Sequence, residues 1–121
     1  MEGKDVDWFA ALKTPSGLDR TNGRSFVYFD STQTGFEWSP KLINSPDSAI
    51  GATIKQLYES NKDVFTIAYN DDSPDGRADG NHAHSKGVAV FNNDVGFWMI
   101  HSVPNFPPSS KYFVNSDQSE D

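Results

Sequence analysis

Runs of apolar residues divide the chain into short strand-like segments and one helix-like segment. Strands are predicted at 6–15 (VDWFAALKTP), 25–31 (SFVYFDS) and 63–71 (DVFTIAYND), where β-branched and aromatic residues stand between turn-forming residues. The first and the last of these strands are predicted to be buried. Between the second strand and the helix, the segment around STQTGFEW is rich in turn-forming residues.

One segment carries a strong helix signal. Ser45 is predicted to be the N-cap, Pro46 the first helical residue, and Asp47 lies in the first turn. Gly51 is expected to cost this helix about 1 kcal/mol relative to alanine. The apolar face of the helix is predicted to consist of Ile50, Ile54, Leu57 and Tyr58. The order strand, strand, helix, strand, strand, strand indicates a mixed α/β or α+β layer fold.

An antiparallel hairpin is predicted where HSKGVAVF and VGFWMIHSV flank the turn-prone NND. If the second and third residues of NND form the turn, Lys86 pairs with His101. Because side chains alternate along a strand, His82, His84 and Lys86 then share one face with His101. Both faces of the hairpin also carry apolar residues, which predicts a strand pair at the centre of a sheet, buried on both sides.

All three histidines of the chain lie in or beside this hairpin. A neutral imidazole can attack phosphorus or accept a proton, an imidazolium can protonate a leaving oxygen, and an ammonium can neutralise phosphate oxygens. His84-x-Lys86 is therefore a candidate for phosphate chemistry, although this short motif is also typical of a solvated strand end. A metal pair at His82 and His84, completed by His101 or a carboxylate, is the alternative. Taken alone, His101 is more typical of a hydrogen-bonded structural histidine.

Composition narrows these possibilities. A chain of 121 residues predicts a single domain over 1–121, and the polar ends at about 1–4 and 114–121 are expected to be disordered tails. The chain has no cysteine, which excludes disulfides and zinc sites built on thiolates. A net charge of −7 argues against a general nucleic-acid binder, so any phosphate chemistry must depend on local groups. No run is long and apolar enough for a membrane span, and the first residues do not have the pattern of a signal peptide.

Four phrases of the sequence, taken together, resemble the deoxyribonuclease II family. They are VDWFAALKTP, LINSPDSAIGATIKQLY, IAYNDDSP and HSKGVAVFNNDVGFWMIHSVPNFPP, and the resemblance extends from about residue 5 to residue 113. The family is similar to the phospholipase D superfamily, in which two similar halves each give one His-x-Lys motif to a shared site. This chain is similar to the first half. The resemblance thus implies a phospholipase D-like half-domain, with a central mixed sheet and a flanking helix.

The resemblance also implies a function. The family cleaves DNA endonucleolytically at acid pH without a metal or other cofactor, through a phosphohistidine, and leaves 3′-phosphate ends. On this basis His84 would be the nucleophile or the general acid, and Lys86 would hold the phosphate. His101 and His82 would have supporting or phosphate-binding roles. Lysosomal location or secretion is implied as well.

The second His-x-Lys motif is absent from this sequence, which leaves three hypotheses. A homodimer could bring two copies of His84 and Lys86 together across a two-fold axis and complete the site. The chain could instead be completed by a separate C-terminal half. The third hypothesis is a catalytically incomplete fragment or truncated paralogue that acts as a DNA-binding or interaction module.

Overall fold

The computed structural model describes residues 4–59, 62–72 and 84–104. His82, residues 1–3 of the first expected tail and all of the second lie outside this part of the chain. Chain contacts divide the protein into two compact units, Met1–Thr53 and Ile54–Asp121. The elements are, in chain order, β1 (Phe9–Lys13), β2 (Phe26–Asp30), β3 (Glu37–Trp38), α1 (Ala49–Lys55), a 3-10 turn (Gln56–Tyr58), β4 (Phe65–Tyr69), β5 (Gly87–Phe91) and β6 (Gly96–Ile100).

The mixed α/β class predicted from the sequence is confirmed. In the described residues the strands form two antiparallel sheets, with the orders β1-β2-β3 and β4-β5-β6. This arrangement is compatible with the half-domain that the family resemblance implies. The turn-rich segment after β2 contributes the short strand β3, which was not predicted. The phospholipase D-like arrangement and a single domain over 1–121 stay predictions.

The first sheet buries mainly its central strand. Along β2, Phe26, Tyr28 and Asp30 are buried and the residues between them are half-buried, which is the alternation expected of a strand with one face in the core. The edge strand β1 was predicted to be buried, and this is wrong: three of its five residues, among them Leu12, are exposed, and the other two are half-buried. β1 lies at the edge of its sheet and is hydrogen-bonded to another strand on one side only. Its apolar composition alone does not show whether another part of the protein covers its two faces.

The helix begins three residues later than predicted. Its N-cap is Ser48 rather than Ser45, because the Ser48 hydroxyl accepts a hydrogen bond from the Gly51 amide at 2.9 Å. Ser45 lies one turn earlier, where its carbonyl accepts a bond from the Ser48 amide at 3.1 Å. The predicted apolar face is confirmed: Ile54 is buried, and Ile50, Leu57 and Tyr58 are half-buried.

The predicted hairpin and its register are confirmed in the second sheet. Val88 pairs with Met99 and Gly87 with Ile100, and the Asn92 amide donates to the Val95 carbonyl across the two-residue turn at 2.9 Å. The Asn92 side chain accepts the amides of residues 94 and 95, which explains why NND turns here. Thus the strand register follows from local turn chemistry.

Burial of this sheet differs from the prediction. β5 is the central strand and is buried along most of its length, but β6 exposes Trp98 (64%) and Ile100 (72%). β4, also predicted to be buried, is largely exposed. Exposed apolar side chains from all three strands lie on the same face of this sheet, because every second residue of a strand points to the same side. We call this face the exposed apolar face, and it consists of Phe65, Ile67, Phe91, Trp98 and Ile100.

Candidate functional site

The hairpin places Lys86 and His101 opposite each other at the start of β5, as the sequence predicted. The His101 amide donates a hydrogen bond to the Lys86 carbonyl at 3.1 Å, which extends the ladder by one pair beyond β5 and β6. Lys86 is buried, with only 8% of its side chain exposed. A buried ammonium requires a partner of opposite charge nearby.

That partner is Asp71, which follows the neighbouring strand β4. Beyond Tyr69, the side chain of Asn70 accepts a hydrogen bond from the Asp72 amide at 2.9 Å, so the chain turns at this point. The turn brings the Asp71 carboxylate to the end of β5, where Oδ1 forms an ion pair with Lys86 Nζ. Asp71 is as buried as Lys86, with 8% of its side chain exposed.

His84 lies on the other oxygen of the same carboxylate. Its Nδ1 is 3.0 Å from Asp71 Oδ2, while 93% of the His84 side chain is exposed. Since Nδ1 is directed at the carboxylate, Nε2 is the nitrogen that faces solvent. The structure thus presents one ring nitrogen of His84 to an incoming group and anchors the other on a buried carboxylate.

The charges of this cluster set the ionisation of Asp71. The hydrogen bond from the Lys86 ammonium lowers the pKa of Asp71 below its ordinary value, against the opposing effect of burial, and the charges of Lys86 and His84 add to the lowering. Asp71 therefore remains a carboxylate in moderately acid solution. The negative charge between His84 and Lys86 is a permanent feature of the folded site.

His101 differs from His84 in its surroundings. Burial lowers the pKa of His101, the nearby Lys86 charge lowers it further, and a main-chain hydrogen bond at Val103 acts in the opposite direction. Its Nδ1 is buried and has no hydrogen-bond partner among the residues that the structure describes. His101 is therefore harder to protonate than an ordinary histidine.

The metal hypothesis involves His82, which lies outside the described residues, so it stays open. Within residues 4–59, 62–72 and 84–104, no group of three or more His, Cys, Asp or Glu side chains is placed to hold a metal ion. Over the same ranges, neither helical segment has the length and apolar content needed to cross a bilayer.

Sequence reasoning missed Asp71. Asp71 stood at the end of the predicted strand 63–71 and within a phrase that carries the family resemblance, but it was not recognised as a partner of Lys86. Because β4 and β5 pair with Tyr69 opposite Gly87, the acidic pair after β4 must lie at the same end of the sheet as the His-x-Lys motif before β5. A carboxylate two residues beyond the strand is then a natural partner for a buried lysine.

Comparison with known proteins gives a consistent result. A family model described as Deoxyribonuclease II matches residues 1–120. The chain is 46% identical over 116 residues to cell-death-related nuclease 7 of Caenorhabditis elegans, covering 93% of this chain and 31% of that protein. It is 43% identical over 114 residues to deoxyribonuclease-2-beta of Rattus norvegicus, covering 88% of this chain and 32% of that protein. It is 36% identical over 122 residues to deoxyribonuclease-2-alpha of Bos taurus, covering 94% of this chain and 33% of that protein. The chain thus spans about a third of the length of these relatives.

Proposed function

The chain belongs to the deoxyribonuclease II family, and we propose that it provides one half-site of a metal-independent acid endonuclease that cleaves DNA. The observation that carries this proposal is the exposed Nε2 of His84, held beside a buried ion pair of Lys86 and Asp71. Relatives of this chain are named as nucleases. The resemblance of the sequence to the family implies that His84 and Lys86 form its first His-x-Lys motif.

The proposed reaction uses one histidine as nucleophile and a second as general acid. In one assignment, His84 Nε2 attacks the phosphorus of a phosphodiester, a P–N bond forms, and the P–O bond to the 5′ oxygen breaks. The second histidine gives its proton to that departing oxygen, and water then hydrolyses the phosphohistidine to leave a 3′-phosphate. In the other assignment the two histidines exchange these roles. Lys86 supplies the positive charge of the motif.

This chain supplies one His-x-Lys motif, so the proposed reaction needs a second half-site. A second copy of the chain or a complementary C-terminal half would provide it. The exposed apolar face of the β4-β5-β6 sheet supports such a partner, because apolar side chains grouped on one face of a sheet are normally covered. The second candidate function is a DNA-binding or interaction module that does not cleave DNA, and the exposed apolar face favours the binding of another chain.

Acid pH favours the proposed reaction for a physical reason. An ordinary histidine has a pKa of about 6.5, so a histidine that must donate a proton does so mainly below that value. Acidification also reduces the net negative charge that repels DNA from this domain. The lowered pKa of His101 argues against His101 as that proton donor.

The test is nicking of supercoiled plasmid at about pH 5 in excess chelator, comparing the chain with His84→Ala while light scattering gives the mass of the active species. His84 is almost fully exposed, so the substitution should leave the unfolding transition unchanged, and circular dichroism checks this. Nicking that is lost in His84→Ala and accompanies a two-copy species supports the homodimer. If a well-folded chain does not nick DNA, activity of this chain alone is refuted and the interaction module is favoured.

A further inference from the structure

We propose that Asp71 is a positioning residue for His84, and that the buried Lys86 holds the Asp71 carboxylate in place. The inference rests on the proposed function, which it deepens by assigning the order of contacts Lys86, Asp71, His84.

The geometry shows a carboxylate that is fixed at both oxygens. Oδ1 is paired with Lys86 and Oδ2 lies 3.0 Å from His84 Nδ1, so rotation of the carboxylate about its own axis would break both contacts. An exposed histidine on its own would occupy several rotamers, and a reacting group must be held in one geometry to react efficiently. The buried pair provides the rigid support that the exposed imidazole does not have by itself.

The contact also selects the protonation site on the imidazole. An ionised carboxylate can only accept hydrogen bonds, so the proton of neutral His84 is held on Nδ1 and the lone pair lies on Nε2. If His84 is the nucleophile, Nε2 is then ready to attack phosphorus, and Asp71 stabilises the positive charge that develops on the ring. If His84 is the general acid, the same carboxylate stabilises the imidazolium and leaves Nε2–H free to donate.

The burial of Lys86 indicates that its ammonium holds the Asp71 carboxylate. Its ammonium is directed at Asp71 and only 8% of its side chain is exposed, whereas His84, two residues earlier, is exposed to 93%. A buried carboxylate without a cation is unfavourable, so removal of Lys86 would also displace Asp71.

The first experiment does not depend on nuclease activity. Long-range ¹H–¹⁵N correlation spectra of the labelled chain near pH 8 report which nitrogen of each histidine carries the proton. We expect the Nδ1–H form for His84 in the wild-type chain and a shift towards Nε2–H, the usual form of an unconstrained histidine, in Asp71→Ala. Lys86→Met should give the same shift, because Asp71 then has no anchor. Asp72→Ala, which removes a carboxylate one residue along the chain, is the matched control and should leave the spectrum unchanged.

Each single substitution leaves a buried charge without its partner and could unfold the site, so the double variant Asp71→Ala/Lys86→Met is included. It removes both charges together and should fold, as shown by the dispersion of its spectrum. A His84 signal that keeps the Nδ1–H form in this folded double variant would overturn the inference. A shift with Asp71→Ala but none with Lys86→Met would overturn the part that concerns Lys86.

The second experiment measures plasmid nicking kinetics for the same variants. Under the proposal, Asp71→Ala lowers kcat by about 10- to 100-fold, as for carboxylates that orient metal-bound histidines. KM should change little in Asp71→Ala, because Asp71 acts on the geometry of His84 rather than on the substrate. Asp72→Ala should leave kcat and KM unchanged, and an unchanged kcat in a folded Asp71→Ala would overturn the proposal. If the wild-type chain proves inactive, the proposed function fails while the spectra still decide the role of Asp71.

Discussion

Gly51→Ala is a substitution for which helix propensity and packing predict opposite results. Gly51 is the third of the seven residues of α1, and replacement of glycine by alanine inside a helix normally stabilises it by up to about 1 kcal/mol. The structure gives a reason for the glycine. A Cβ at this position would lie 2.9 Å from the carbonyl carbon of Ser45 and 3.0 Å from Pro46 Cα, and it would be closer still to the Ser45 carbonyl oxygen.

The magnitude follows from what would have to move. The Ser45 carbonyl is a main-chain group that also accepts hydrogen bonds from the Ser48 amide and hydroxyl, at 3.1 and 2.9 Å, so it cannot rotate away as a side chain could. Inserting a methyl group into a closely packed position typically costs about 1–3 kcal/mol. After the propensity gain is subtracted from the upper part of that range, we expect Gly51→Ala to lower the free energy of unfolding by about 1–2 kcal/mol.

Urea unfolding followed by circular dichroism measures this difference. Gly35→Ala is the matched control, because a Cβ at position 35 would meet no atom within 4 Å. Alanine at that site should leave the free energy of unfolding unchanged or raise it by up to about 1 kcal/mol through the unfolded state. If Gly51→Ala proves as stable as the wild-type chain, or more stable, the close approach of the Ser45–Pro46 main chain to the helix is refuted.

Three further predictions concern caps and titrating groups. Ser48→Ala should lower the free energy of unfolding by about 1 kcal/mol and Ser45→Ala by less, because only the Ser48 side chain caps the helix; urea titration decides. His101 has a lower pKa folded than unfolded, so the stability given by its neutral form is complete above about pH 6.5 and is lost as pH falls through the folded pKa. Urea titrations between about pH 7 and 5 should thus show that the free energy of unfolding falls less in His101→Gln than in the wild-type chain. The Thr21 hydroxyl lowers the pKa of Asp19 to about 2, so the stability that Asp19 contributes is present above about pH 3.8 and is lost towards pH 2. In Asp19→Asn the free energy of unfolding should therefore decrease less on acidification than in the wild-type chain. An equal decrease in the two proteins would contradict the lowered pKa of Asp19.

Local chemistry explains which parts of the fold could be predicted from the sequence. The register of the hairpin depends on a two-residue turn that Asn92 stabilises with its own side chain, so the residues that determine it are adjacent in the chain. The helix start was predicted three residues too early, because Ser45 and Ser48 are both residues that suit an N-cap and Pro46 suits a first helical residue. Ser48 becomes the cap because its hydroxyl reaches the Gly51 amide, a contact that composition does not reveal.

Burial could not be predicted in the same way. The apolar residues of β4 and β6 have the same sequence pattern whether another part of the chain or another molecule covers them. In the structure Phe65, Trp98 and Ile100 are exposed, although each lies in a strand that the sequence predicted to be buried. The composition of a strand therefore predicts that a face is apolar, and only the three-dimensional structure shows whether this chain covers it.

The candidate site has one part that the sequence alone shows and one part that depends on the three-dimensional fold. The His-x-Lys motif is local and could be found from the sequence, but its carboxylate partner lies 15 residues before Lys86, at the end of a different strand. Asp71, His84 and Lys86 nevertheless all belong to the second compact unit, and the pairing of β4 with β5 is sufficient to bring them together. The candidate site is thus assembled by this chain's own strands. Under the proposed function, a partner would supply the second histidine and cover the exposed apolar face, but it would not be needed to orient His84.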